Sequence, residues 1–202
     1  MKVCGITNRE DALTAIEAGA DALGFNLWPG SKRHIVLEEN SGWIRELPAD
    51  AERIAVLVDV PLEEALRISA DPAIDAVQFH GNESAEYLGA FAESGRRFVV
   101  ARRAGAGESG ELPAEAERIL LDANVPGAFG GTGVPVDFQL AADFVKAHPK
   151  ARVILAGGLT PENVAQAVAT VRPFGVDVAS GVERTPRAKD PEKIRAFIEA
   201  VS

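Results

Sequence analysis

The stretch ARVILAGGLTPENVAQAVATVRPFGVDVASGVE, residues 151–183, holds one pattern twice. A short apolar run, Arg152–Ala156, breaks at Gly157-Gly158 and gives way to an amphipathic segment, Pro161–Val171. A second apolar run, Val176–Ala179, breaks at Ser180-Gly181. Thr160 is placed to cap the helix between them and Pro161 to open its first turn. Short runs rich in Val, Ile, Leu and Ala, apolar on both faces, read as strands of a parallel sheet covered by helices.

The same unit recurs outward from this stretch. Val3–Cys4 closes a first strand; Asn8 can cap a helix over Arg9–Ala18, with Asp11 near the capping-box position and Gly19 as its stop. Strand segments at Ala22–Asn26, Arg53–Val58, Asp75–Phe79, Arg97–Ala101 and Arg118–Leu121 alternate with helical ones. Those helices cover Val36–Leu47, Pro61–Ser69, Glu83–Glu93 and Phe138–Ala147, with a last one at Pro191–Val201. About eight strand–helix units without a linker predict an α/β chain of one catalytic domain over residues 1–202, a single (β/α)8 TIM barrel at the small end of that class. A doubly wound open sheet shares the βα unit and is the alternative. One unit is defective: AGAGESGELPAEAE, residues 104–117, has almost no apolar stripe and contains Pro113, so a short or missing fifth helix is expected.

The 202 residues carry a net charge of −9 with no basic run or basic–aromatic patch, which argues against nucleic acid as a partner. A single cysteine forms no internal disulfide. MKVCGITNRED has no apolar signal-peptide core, and no apolar stretch approaches the roughly 20 residues needed to span a bilayer. The expectation is a cytoplasmic protein away from membranes, monomer or homodimer.

A barrel builds its site where strands end and βα loops begin. Cys4-Gly5 follows the first run, a loop with Ser31, Lys32 and Arg33 the second, Asp59 the third, and Gln78-Phe79-His80-Gly81 ends the fourth. Arg102-Arg103, Asp122, Gly157-Gly158 and Ser180-Gly181 complete the rim. The two glycine breaks, with a helix start after the first, suit a phosphate: glycine lets the backbone approach, and helix N-termini favour anions. Cys4 and Asp122 form a candidate acid/base pair across the mouth. A thiol needs a lowered pKa to act as a base near neutrality, and Lys2, on the same strand face about 6–7 Å away, can help hold a thiolate. Taken alone, each has a plainer role, Cys4 as small core packing and Asp122 as a helix cap. His34, His80 and His148 have no metal-like spacing, so no metal site is expected. Arg33 can pair with a substrate carboxylate through its planar fork. Gly105, Gly107 and Gly110 spell a dinucleotide fingerprint after a strand, but the following ELPAEAE is too short and polar for the required helix, and Glu108 and Glu111 repel a pyrophosphate. Gly130–Gly133, GGTG, lacks a Walker ending and reads as a flexible or ligand-covering loop.

Taken in order, KVCGIT, GFN…SKR, VQFHG, LLDA with GGTG, LAGGLTPENV and VDVASGVE resemble the phosphoribosylanthranilate isomerases of tryptophan biosynthesis over nearly the whole chain. The resemblance implies a cofactor-free Amadori rearrangement of a small phosphosugar, N-(5′-phosphoribosyl)anthranilate. It assigns the general base to Cys4 and the general acid to Asp122, the anthranilate carboxylate to Arg33, and pocket-lining roles to His80 and Asp177. Gly157, Gly158, Ser180 and Gly181 match the family's phosphate-binding loops. Two departures stand out. The family's Ser-Pro-Arg is Ser31-Lys32-Arg33 here, which loosens the loop carrying Arg33, and its Phe-Asp-Trp is Val136-Asp137-Phe138. A histidine-pathway aminoaldose isomerase, which uses two aspartates, and a silent phosphate-ligand binder are the rival functions.

Overall fold

The computed structural model describes residues 1–103, 116–122 and 138–201. Eight parallel strands close into a barrel in sequence order: β1 (Lys2–Cys4), β2 (Ala22–Asn26), β3 (Glu52–Leu57), β4 (Ala76–Phe79), β5 (Phe98–Arg103), β6 (Arg118–Asp122), β7 (Val153–Leu155) and β8 (Gly175–Val178). The open-sheet alternative is thereby excluded: β1 pairs with β8, with Lys2 opposite Asp177 and Val3 opposite Val178. The helices are α1 (Arg9–Ala18), α2 (Leu37–Arg45), α3 (Leu62–Ser69), α4 (Ala85–Ala92), α5 (Phe138–Ala147), α6 (Val164–Val171) and α7 (Pro191–Val201). The expected defect in the fifth unit, the glycine fingerprint within it and the GGTG loop lie outside the described residues.

Local signals act as the sequence suggests at α1. Asn8 Oδ1 accepts the backbone N–H of Asp11 at 2.8 Å, and Gly19 closes the helix in the left-handed region at φ 105°. The helix expected from Pro161 instead begins at Val164. Asn163 is the reason: its side chain accepts Thr160 N–H at 2.8 Å and donates to Gly158 O at 3.0 Å, holding residues 160–163 in a turn. A 3₁₀ turn at Ser180–Val182 and a two-stranded antiparallel hairpin, β9 (Glu183–Thr185) and β10 (Ala188–Lys189), stand between β8 and α7. The sequence pattern signalled neither.

Side chains alternate along each strand, so one set faces the helices and the other the barrel axis. The outer set, with Val3, Leu23, Phe25, Leu57, Phe79, Leu121 and Leu155, packs with the helices in one large core. The inner set forms two small apolar clusters, Val99, Leu120, Ile154 and Ala156 in one and Ala22, Ile54 and Ala76 in the other. At the strands' N-terminal end, ion pairs close the barrel: Arg118 clasps Glu52 at 2.6 and 2.7 Å, and Arg53 clasps Asp75 at 2.7 Å through both arms.

An aromatic cluster packs β4 against α4 and β5. Phe79 meets Phe91, Tyr87 and Phe98 edge-on, with centroids 5.0, 5.5 and 5.9 Å apart. Phe79→Ala should lower stability by about 3–5 kcal/mol, read as a lower urea midpoint; an unchanged midpoint would show that this cluster does not secure β4 to α4.

Candidate active site

The inward positions near the strands' C-terminal ends are polar although the strands themselves are apolar. Lys2 and Cys4 on β1, Gln78 on β4, Asp122 on β6 and Asp177 on β8 all turn toward the axis. A cavity of about 490 Å³ opens above them. Cys4, Arg33, His80 and Asp122 line it, and so do Asp177, Gly157, Gly158 and Ser180. Gly181 does not. A Cβ on Gly181 would collide with the carbonyl oxygen of Leu159, so glycine there presses the loop after β8 against the loop after β7. Gly157 and Gly158 both hold left-handed backbone, at φ 90° and 63°.

Gly24 on β2 explains how the thiol fits. A Cβ at Gly24 would stand 2.6 Å from Cys4 Sγ and 3.1 Å from Lys2 Cε. With no side chain there, sulfur and lysine stem lie across the neighbouring strand. Lys2 Nζ donates to Asp177 Oδ1 at 2.8 Å and to Gln78 Oε1 at 2.9 Å. Burial works against its ammonium, but Asp177 and Cys4 together outweigh that and raise its pKa above the usual lysine value. At Cys4 burial wins: it pushes the thiol up, helped by Asp177, and the positive charges of Lys2 and Lys189 offset only part of it. Burial therefore favours the thiol form of Cys4, so the help expected from Lys2 falls short of a resting thiolate.

His80 Nδ1 lies 2.9 Å from Gln78 Nε2, and its Nε2 is 3.2 Å from Asp122 Oδ2. Asp122 and His80 are thus neighbours at the mouth, on the ends of β6 and β4.

Arg33 is held in a way its sequence context did not show. Its Nε and Nη2 donate to the two carboxylate oxygens of Glu183 at 2.7 and 2.6 Å. A guanidinium carries five N–H donors, so the Nη1–Nη2 edge is left to meet a ligand carboxylate. The loop that lacks proline is tied by other means: Ser31 Oγ accepts Arg33 N–H at 3.0 Å, and Arg187 Nη1 donates to His34 O at 2.8 Å. Lys189 completes the support. Its buried ammonium donates to Cys4 O at 2.7 Å, Ala179 O at 2.9 Å and Glu183 Oε1 at 3.1 Å. Glu183 and Lys189 carried no role in the sequence reading, and Gln78 none beyond its place at a strand end. Gln78 had a legible signal, a polar residue inside an apolar strand and two positions before His80. Among the described residues, no group of three or more His, Cys, Asp or Glu is placed to hold a metal ion.

Comparison with known proteins agrees with this architecture. The family model described as N-(5'phosphoribosyl)anthranilate (PRA) isomerase matches residues 1–200. The N-(5'-phosphoribosyl)anthranilate isomerase of Geobacter sp. (strain M21) is 46% identical over 200 residues, covering 98% of this chain and 95% of the relative. The crystal structure of phosphoribosyl anthranilate isomerase from Thermus thermophilus superposes with a TM-score of 0.87 at 36% identity, covering 99% of this chain and 96% of the other. A phosphoribosyl anthranilate isomerase solved in complex with reduced 1-(o-carboxyphenylamino)-1-deoxyribulose 5-phosphate matches with a TM-score of 0.82 at 37% identity, covering 98% and 96% of the two chains.

Glu183 supplies a pH test of the support around Arg33. Burial opposes its ionisation, yet the Arg33 hydrogen bonds and the Lys189 charge outweigh burial and hold its carboxyl below the usual glutamate value. A folded value below the unfolded one means the stabilisation is complete above the ordinary glutamate pKa and lost as pH falls through the folded value. Urea midpoints of the wild type should therefore fall more steeply on acidification than those of Glu183→Gln. Equal slopes would remove Glu183 from the list of acid-sensitive groups.

Proposed function

The chain belongs to the N-(5′-phosphoribosyl)anthranilate isomerase family of tryptophan biosynthesis, and from that premise we propose that its cavity performs the family's cofactor-free Amadori rearrangement with Cys4 as general base and Asp122 as general acid. The observation that supports pairing them is that both side chains line one 490 Å³ cavity, together with Gly157, Gly158 and Arg33; which is base and which acid follows the family resemblance.

The substrate is N-(5′-phosphoribosyl)anthranilate. Asp122 gives its proton to the furanose ring oxygen, the bond from C1′ to that oxygen breaks, and the anthranilate nitrogen donates its pair to form a C1′ iminium. Cys4 then removes the C2′ proton; the electron pair forms a C1′–C2′ double bond and the nitrogen recovers its own. The enolamine tautomerises to the ketone, 1-(2-carboxyphenylamino)-1-deoxyribulose 5-phosphate. The iminium acidifies the C2′ proton, and a cation formed beside the sulfur favours the thiolate that burial disfavours. C2′ is oxidised as C1′ is reduced within the same molecule, so no outside oxidant or reductant is needed and acid/base groups suffice. The 5′-phosphate is assigned to Gly157 and Gly158 after β7 and to Ser180 and Gly181 in the 3₁₀ turn after β8. Loops after strands seven and eight with a short extra helix are what barrels frequently use for phosphate, and Gly157 and Gly158 hold left-handed backbone in the first of them. Arg33 takes the anthranilate carboxylate on its Nη1–Nη2 edge, and His80 and Asp177 flank the sugar.

The direct test follows loss of anthranilate fluorescence from freshly made substrate with the purified protein and no added cofactor. Rapid loss beyond spontaneous decay, with the deoxyribulose product identified, is expected. No loss from folded protein would shift the assignment to an aminoaldose isomerase or a silent binder. Cys4→Ser should lower kcat by about 10²–10⁴-fold with folding intact, and near-normal kcat would sink the base assignment. Asp122→Asn should lower kcat while KM changes little; unaffected kcat would remove its acid role. Because burial raises the Cys4 thiol, kcat/KM should climb as pH rises from neutral into the alkaline range. A profile flat over that range would contradict a thiol that must first ionise.

A further inference from the structure

We propose that Arg187 is a positioning residue for recognition of the ligand's carboxylate: from the tip of the β9–β10 hairpin its side chain holds the backbone on both sides of Arg33. The starting point is an arginine where the turn calls for glycine. Thr185 and Ala188 pair across a two-residue turn, Pro186-Arg187. Proline first and a positive φ second is the type II pattern, whose second central position is normally glycine. Arg187 stands there at φ 75°. The other two non-glycine positions of positive φ among the described residues have ordinary reasons: Arg172 closes α6, and Asp59 is of a type that tolerates this region. Arg187 is exposed, so core packing does not offset its strain. Strain of this kind persists only where the surroundings hold it, and it gathers at ligand clamps.

The contacts of Arg187 lead to one place. Its Nη1 donates to His34 O at 2.8 Å and to Lys32 O at 3.5 Å, and Thr7 Oγ1 donates to Arg187 O at 3.1 Å. Lys32 and His34 are the two chain neighbours of Arg33. The same hairpin presents Glu183, which accepts from Arg33 Nε and Nη2 at 2.7 and 2.6 Å. One hairpin thus holds Arg33 twice, its side chain through Glu183 and its backbone through Arg187. The two holds do different work. The ion pair fixes the fork; the backbone grip fixes where the stem begins. Little slack lies between them, because a Cβ on Gly5 would collide with Arg33 Cδ. With both ends set, the Nη1–Nη2 edge is oriented before a ligand arrives, and less ordering opposes binding. The inference rests on the assignment of the anthranilate carboxylate to Arg33 made above.

The test is binding of two stable product analogues, 1-(2-carboxyphenylamino)-1-deoxyribitol 5-phosphate and the same molecule without its carboxylate. The wild type should prefer the carboxylated ligand. Arg187→Gly suits the positive φ and removes the grip. It should weaken the carboxylated ligand by about 2–10-fold, the worth of one net hydrogen bond, leave the Kd of the other ligand unchanged, and keep its urea midpoint at or above that of the wild type. KM should rise by the same factor with kcat nearly unchanged, since the carboxylate lies away from C1′ and C2′. Equal weakening of both ligands, or of neither, overturns the proposal. So does a lower midpoint, which would make the grip a need of the fold rather than of recognition. Arg187→Asn tolerates the same backbone and is too short to reach the two carbonyls; it decides the matter if the glycine variant does not fold. A wild type with no preference for the carboxylate overturns the assignment of Arg33 and this proposal with it. Absence of turnover with the preference intact overturns the isomerase reading alone.

Discussion

The ammonium of Lys2 is the charge around which this molecule is arranged. Its side chain is 3% exposed, and a buried charge must be paired and hydrogen-bonded to be tolerated. Three strands supply what it needs: Asp177 from β8, Gln78 from β4 and the Cys4 thiol from β1 itself. Stranding a buried charge by removing its partner costs about 3–5 kcal/mol, so this single group fixes how β1 meets β8 and what lies across from them. It also explains the divided interior. A polar layer occupies the barrel axis beneath the mouth, and only two small apolar clusters fill what remains. The stability of the closed barrel therefore comes chiefly from its outer face, where strands meet helices in one continuous core.

A second buried ammonium repeats the device one layer outward. Lys189 satisfies all three donors with Cys4 O, Ala179 O and Glu183, and burial lowers its pKa despite the carboxylate. Through Glu183 this lysine reaches Arg33, so the hairpin β9–β10, the mouth of β1 and the loop after β2 become one support. The Thr7 hydroxyl adds a bond to Arg187 O at 3.1 Å. The arginine assigned to the ligand's carboxylate is thus oriented from behind by its own counter-ion, which leaves one edge of the fork to do the recognising.

Much of this was legible in the sequence because period and punctuation were clean. Short apolar runs ending in glycine or a polar residue located the strands, and Asn8 with Gly19 bounded α1. Polar residues at the ends of apolar strands marked the site, and Cys4, His80 and Asp122 do line one cavity; Asp177, inside β8, was pointed to by the family resemblance alone. What escaped has physical causes. The hairpin segment ERTPRAKD, residues 183–190, has no alternating apolar face, since a buried ion pair rather than a hydrophobic stripe holds it. The partnership of Arg33 with Glu183 spans 150 residues and leaves no trace in spacing. Thr160 looked able to begin α6, but the Asn163 side chain, bonded to Thr160 N–H and Gly158 O, holds residues 160–163 in a turn and the helix starts at Val164.

The seam between β1 and β8 has a consequence in time as well as space. Lys2 and Asp177 are 175 residues apart, and Lys189 reaches Cys4 across 185. Ribosomes add about 5–20 residues per second, so a nascent chain carries Lys2 for roughly 9–35 s before its carboxylate exists. During that interval the first strand holds a charge whose place is the barrel interior, and early closure onto any other strand would bury it without its carboxylate. The lysine that locks the finished barrel thereby discourages premature ones. Assembly of the mouth depends on contacts 175 and 185 residues apart, the long-range kind that slows folding most.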